Sequence, residues 1–223
     1  EDATENFLRI GLSGERATEH LAATGLPAPD SVNAVTHSNG TTLIMTPGTK
    51  PRYELYLTDL ATAKSVWQTL DVHAAPVGEP VWRLLDIQAG IPNIFAATAE
   101  LFVPQMTNLQ LINGVSFRKG CYPGQEIVAR MQYLGTLKRR MYLGHISSDL
   151  PAMPGQELFS ETDDKQAAGR LVDAQAHPDG GQLALAVLQI KAAEAGALHL
   201  GGPDGPAFIL QALPYPFETA DDD

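Results

Sequence analysis

Arg118-Lys119-Gly120-Cys121-Tyr122-Pro123-Gly124-Gln125-Glu126-Ile127-Val128-Ala129-Arg130 is the most informative run of the chain. Gly120 and the pair Pro123-Gly124 bracket the single cysteine in a turn without bulky side chains, where backbone can come close. Beyond Gly124, the residues Ile127, Val128, Met131 and Leu134 recur at helical spacing. Cys121 therefore lies a few residues upstream of a helix N-terminus. The partial positive charge of that end, together with Arg118 and Lys119, favours thiolate over thiol. Such a sulfur is a nucleophile, a redox centre or a soft-metal ligand. The competing reading is a small buried hydrophobe, a common fate of free cysteine.

Upstream of this run the chain alternates strands and helices. Phe7 to Leu12 is strand-like, and Ser13-Gly14 offers an N-cap to a helix carrying Ala17 and Leu21, which Gly25 and Pro27 stop. Val32 to Thr36 and Thr41 to Met45 pair about a Ser38-Asn39-Gly40 turn, and Tyr53 to Leu57 adds a further strand. From Asp59, Leu60, Ala63, Trp67 and Leu70 mark one stripe of an amphipathic helix, which places Trp67 in the core. An extended piece, Val72 to Val77, follows. The order β-α-β-β-(β)-α-β is close to a ferredoxin-like split unit. Val81 to Ala89 reads as a helix ended by Gly90-Ile91-Pro92, and Phe102 to Phe117 as loop with short elements.

Past Gly135 the texture changes. Met141 to Ile146, Ala168 to Ala176, Gln182 to Ile190, Ala197 to Leu200 and Ala207 to Ala212 are short strands at regular spacing, the pattern of a small β-barrel. The expected fold is α+β: a ferredoxin-like domain over residues 1–136 and a barrel over 137–217. An acidic tail, 218–223, is expected to be disordered. The chain opens Glu1-Asp2-Ala3 and enters a strand almost at once, so the first domain is expected to be incomplete at its N-terminus.

Composition narrows the classes. A chain of 223 residues, 44% hydrophobic, can bury a sizeable core. No apolar run approaches the roughly 20 residues that cross a bilayer, and the opening residues do not read as a charged-then-apolar leader, so none is expected there. One cysteine excludes an intrachain disulfide and a Cys-rich metal cage, and the six histidines lack metal-ligand spacing. A soluble cytoplasmic protein without a tightly held metal is expected. The net charge of −11 argues against wholesale nucleic-acid binding. Yet Leu101 to Ser148 holds Arg118, Lys119, Arg130, Lys138, Arg139 and Arg140 against one acid, Glu126. A cationic island on an acidic protein attracts an anion. A merely solvated face is the competing reading.

Phe102-Val103-Pro104-Gln105, Thr107-Asn108-Leu109 and the run Val115 to Glu126 resemble the signature of the YgfZ branch of the folate-binding, T-protein-like (aminomethyltransferase-like) family. The resemblance spans most of the chain, though beyond residue 140 it rests on texture. It implies that Cys121 is the functional thiol, with Lys119, Gly120, Tyr122, Gly124, Gln125 and Glu126 completing the motif in unassigned roles. Trp82-Arg83-Leu84-Leu85-Asp86-Ile87-Gln88-Ala89-Gly90-Ile91-Pro92 resembles the family segment whose tryptophan helps bind folate, which carries onto Trp82. A pterin is flat and aromatic, so an indole suits it. One departure stands out. Gln88 occupies a place where relatives carry glutamate, and an amide accepts with only its oxygen where a carboxylate accepts two N–H bonds. Weaker folate binding, or support from another acid, is expected.

The resemblance implies an auxiliary factor rather than a conventional enzyme. It would bind tetrahydrofolate or a derivative and act through Cys121 in assembly or repair of iron–sulfur clusters, serving enzymes such as tRNA methylthiolases. One thiol cannot hold a cluster alone, since such centres take about four thiolates. A folate-dependent aminomethyl or one-carbon transferase and a non-catalytic interaction module are the alternatives. The cationic island suits the polyglutamate tail of cellular folates. It equally suits a tRNA or an acidic partner, and the residues do not choose.

Overall fold

A computed structural model of the chain describes residues 2–120, 123–161 and 163–217. Its packing divides between Trp82 and Arg83 into two compact units.

The first unit holds β1 (Leu8–Ser13), α1 (Ala17–Ala23), β2 (Val35–Ser38), β3 (Thr41–Thr46), β4 (Arg52–Leu57) and α2 (Leu60–Asp71). Its four strands form an antiparallel sheet in the order β1-β4-β3-β2. Asn39 and Gly40 both take positive φ, 49° and 71°, which suits the tight hairpin joining β2 to β3. In β4 the period of two decides which side each residue serves. Tyr53, Leu55 and Leu57 are buried in a cluster with Leu12, Leu21, Leu43, Val66 and Leu70. Arg52, Glu54 and Tyr56 take the opposite face.

α2 starts at an Asp59 cap, whose Oδ2 accepts from the Thr62 backbone N–H at 2.7 Å. It buries Ala63, Val66 and Leu70. The stripe read from the sequence is thus turned slightly: Leu60 is exposed, and Trp67, expected in the core, is 45% exposed. Both stripes satisfy a 3.6-residue period, and Val66 rather than the bulky indole fills the space above the sheet. Val72 to Val77, expected as a strand, joins no ladder.

α3 (Glu79–Gln88) runs across the division. The second unit continues with a 3₁₀ turn at Pro104–Thr107, α4 (Gln125–Leu134), β5 (Arg139–Ile146), β6 (Glu157–Ser160), β7 (Asp163–Ala176), β8 (Gln182–Gln189), α5 (Ile190–Ala195), β9 (Leu198–Leu200) and β10 (Phe208–Gln211). The six strands pair antiparallel in the order β10-β5-β8-β7-β6-β9. The two outer strands meet at a His199–Ala207 bridge, beside which the Leu200 N–H donates to the Pro206 carbonyl at 2.9 Å. β8 is interior, and its side chains alternate between two clusters. Ala184, Ala186 and Leu188 join Leu158, Leu171 and Phe208. Leu183, Leu185 and Val187 join Leu84, Ile87, Met141 and Val172.

That second cluster explains why the packing division does not fall near Thr136, where the texture changes. Leu84 and Ile87 of α3 share a core with strands far downstream. Asn108, left-handed at φ 59°, donates its Nδ2 to the Met141 carbonyl at 2.8 Å. β6 and α5 are two elements that the sequence reading did not anticipate.

Candidate functional site

β1 and β4 build the site in the first unit. Their register sets Gly11 directly opposite Glu54, on the sheet face away from the aliphatic cluster. The indole of Trp82, on α3, lies against that spot. A Cβ on Gly11 would come within 2.5 Å of the ring carbon Cζ3, so only glycine lets the ring settle on β1. The Trp82 Nε1–H donates to Glu54 Oε1 at 3.3 Å. The Arg52 guanidinium, buried in the same strand, stands 4.3 Å from the centre of the Trp82 ring and donates to the Pro47 carbonyl at 3.0 Å.

Tyr56 completes this polar face, its hydroxyl donating to Glu54 Oε2 at 2.5 Å. Burial first, and then that bond to the carboxylate, pushes the Tyr56 phenol above its ordinary pKa. The tyrosine therefore stays a donor, and the two oxygens of Glu54 are oriented by an N–H and an O–H. Each oxygen keeps a further acceptor position.

A cleft of about 220 Å³ opens here, lined by Arg9, Gly11, Glu54, Trp67, Glu79 and Trp82 among others. A smaller hollow of about 70 Å³ shares Ile10, Gly11, Trp67 and Val77 with it. The cleft thus combines two indoles, two carboxylates and one cation. Such a set can hold a flat heterocycle against an aromatic surface, accept N–H bonds from its edge, and meet an anionic substituent at Arg9.

Of the residues singled out in the sequence, Trp82 lines this cleft. Gln88 ends α3, belongs to the second unit and is not among the lining residues. Cys121 and Tyr122 lie outside the described residues. Gly120 is exposed, and a Cβ there would meet open space, so no close approach explains that glycine. Gly124 is the N-cap of α4 with φ +83°, a left-handed conformation that favours glycine. Lys119, Glu126, Arg118, Arg130, Lys138 and Arg139 are exposed, and Gln125 is half-buried at the start of α4. Arg140 differs: it is half-buried, with its guanidinium 4.6 Å from the centre of the Phe217 ring. Among the described residues, no three of His, Cys, Asp and Glu are grouped to hold a metal ion. No described helix is long and apolar enough to cross a membrane.

Gly11, Glu54 and Trp67 are the participants that sequence reasoning missed. A lone glycine inside a strand was the available signal for the first, since it marks a place where something approaches the backbone.

The fold is similar to that of a glycine-cleavage T-protein. The crystal structure of glycine cleavage system aminomethyltransferase T from Bartonella henselae matches with a TM-score of 0.65 at 17% identity, covering 92% of this chain and 59% of that one. No family model matches the chain. Among curated proteins, the tRNA-modifying protein YgfZ of Klebsiella pneumoniae (strain 342) is 33% identical over 98% of this chain and 66% of its own length. The protein of the same name from Colwellia psychrerythraea is 32% identical over 96% of this chain and 65% of its own length. The chain belongs to the YgfZ family. It spans slightly less than two thirds of the length of these relatives.

Proposed function

We propose that the chain belongs to a tetrahydrofolate-binding auxiliary factor that works in the cytoplasm. Acting through Cys121, it supports iron–sulfur cluster assembly or repair and, through enzymes such as tRNA methylthiolases, tRNA modification. The family assignment supports a role connected with tRNA modification. The single observation that carries the folate part is the Trp82–Glu54 pair on the floor of the first-unit cleft.

The residues fit a reduced pterin. Trp82 and Trp67 both line the cleft and supply aromatic surface to it. Glu54, with its remaining acceptor positions, takes the adjacent N–H donors of the pterin edge, the task for which Gln88 is poorly suited. Arg9 meets the carboxylates of the glutamyl tail. A bound folate supplies a one-carbon carrier, or a ligand whose presence reports on one-carbon status. The protein groups bind and orient it.

The finer fold reading is also a proposal: residues 1–136 as a ferredoxin-like, T-protein-like folate domain and 137–217 as a small barrel. The bridge joining β9 to the residue before β10 supports the latter.

Titration with 5-formyltetrahydrofolate, followed by tryptophan fluorescence, tests the ligand. Saturable quenching is expected, and Trp82→Leu should abolish most of it. Equal affinity in that variant would sink the folate reading at this cleft. For the thiol, Cys121→Ser in the full-length protein should impair tRNA methylthiolation in cells, and unimpaired methylthiolation removes the cysteine from the mechanism. A one-carbon transferase has the T-protein fold behind it. Steady turnover of an aminomethylated donor with tetrahydrofolate would favour it instead.

A further inference from the structure

α4 begins four residues after Cys121 and is thinly packed. Val128 is its one buried residue. It is held from that side by Gln105, itself buried, whose Nε2 donates to the Val128 carbonyl at 2.6 Å. Ile127, Met131 and Leu134 fall at i, i+4 and i+7, one face of a helix. Ile127 is 62% exposed and Leu134 85%. Tyr133, whose ring meets Phe117 edge-on at 6.4 Å between centres, is 70% exposed. Single exposed apolar residues are ordinary, but an aligned stripe with an aromatic beside it marks a surface that something covers.

Its electrostatic setting narrows what that is. Arg118 and Lys119 precede the helix, Arg130 is on it, and Lys138 and Arg139 follow it, all exposed. Glu126 is the only acid between Leu101 and Ser148. This cationic segment sits in a chain of net charge −11.

We propose that this face of α4 is a docking surface for another protein, and that the docking element is an acidic amphipathic helix. Spacing at i, i+4 and i+7 suits a helix laid along a helix, burying aliphatic side chains on both. The flanking cations select acidic side chains at the rim and speed encounter. A second copy of this chain would bring the same cations face to face, so self-association through this surface is disfavoured. RNA fits less well. Single-stranded bases want a series of flat stacking platforms, whereas Ile127, Met131 and Leu134 carry no ring and Tyr133 is the one aromatic residue of the helix. The surface lies in the second unit and does not depend on the folate reading.

The test uses the whole chain and a fluorescein-labelled helical peptide of roughly five turns, with leucines at i, i+4 and i+7, glutamates flanking them and alanines elsewhere. Fluorescence anisotropy should show saturable binding. Ile127→Ser with Leu134→Ser should weaken it about tenfold or more, as should Arg130→Glu, at unchanged far-ultraviolet circular dichroism. Trp82→Leu should leave it unaltered. A matching lysine peptide should not bind. The proposal is overturned if the glutamate peptide fails to bind, if the serine double variant binds it as well as the parent, or if unfractionated tRNA binds at this face more tightly than the peptide.

Discussion

Glu54 and Trp82 are joined by a 3.3 Å bond between carboxylate and indole N–H, across 28 residues of sequence. The carboxylate sits on β4 opposite Gly11, and the ring lies where a side chain on Gly11 would be. A charge and an aromatic face are thereby set at right distances by one strand pairing.

Glu54→Gln should keep the fold and weaken 5-formyltetrahydrofolate binding by about 1–2 kcal/mol, roughly five- to thirtyfold, because an amide donates where the pterin edge also donates. Isothermal calorimetry on parent and variant measures it. An unchanged Kd would take Glu54 out of the binding site.

Gly11→Val should expel the Trp82 ring from β1. Overpacking of this kind costs about 1–3 kcal/mol, read from urea unfolding, with a shift of tryptophan emission toward that of a solvated indole. Gly40→Ala, at a turn remote from Trp82, serves as the control that should leave the emission unchanged.

Arg83 and Asp173 form an ion pair in the second unit, with Asp173 wholly buried and Arg83 stacked over the Phe95 ring at 4.6 Å. Burial raises the Asp173 pKa, and the nearby Arg83 opposes that shift. Asp173→Ala alone should destabilise the second unit by removing the buried carboxylate that faces Arg83, and Arg83→Met with Asp173→Leu should recover much of the loss. Denaturant unfolding of the two variants beside the parent decides. If the double variant recovers nothing, the β7 bulge at Val172, between Leu171 and Asp173, matters there rather than the charge pair.

His199 contributes a pH dependence of its own. One ring nitrogen faces the Gly205 carbonyl at 3.0 Å and the other faces Glu161 at 3.1 Å. The bond to Gly205 first, and then that to Glu161, raises its pKa above the ordinary 6.5. Only the imidazolium donates to both. The stabilisation is therefore complete below the ordinary imidazole value and lost as pH rises through the raised one. Amide exchange at Leu200 should speed up with pH across that window beyond its intrinsic trend, and His199→Gln should abolish the excess.

Much of the architecture was legible because its causes are local. The hairpin at Asn39-Gly40, the helix after Gly124 and the alternating strands from Met141 onward each follow from a short stretch of residues. Trp82 was legible only through resemblance. Glu54 was not, because Arg52-x-Glu54-x-Tyr56 is what any half-buried strand shows toward water, and its meaning comes from a ring held 28 residues later. Trp67 misled because two stripes of α2 share Ala63 and Leu70, and periodicity cannot tell which one turns inward.

β8 has a consequence for how the second unit tolerates change. Its alternate side chains belong to separate oily compartments, so the ribbon works as a party wall. Enlarging Ala184 or Ala186 crowds one room, and shortening Leu185 empties the other. Neither repair is available from across the partition. Deep mutational scanning should find Leu183 to Leu188 the least permissive stretch downstream of Arg83, and its amides among the last to exchange, because opening either compartment means taking down the wall they have in common.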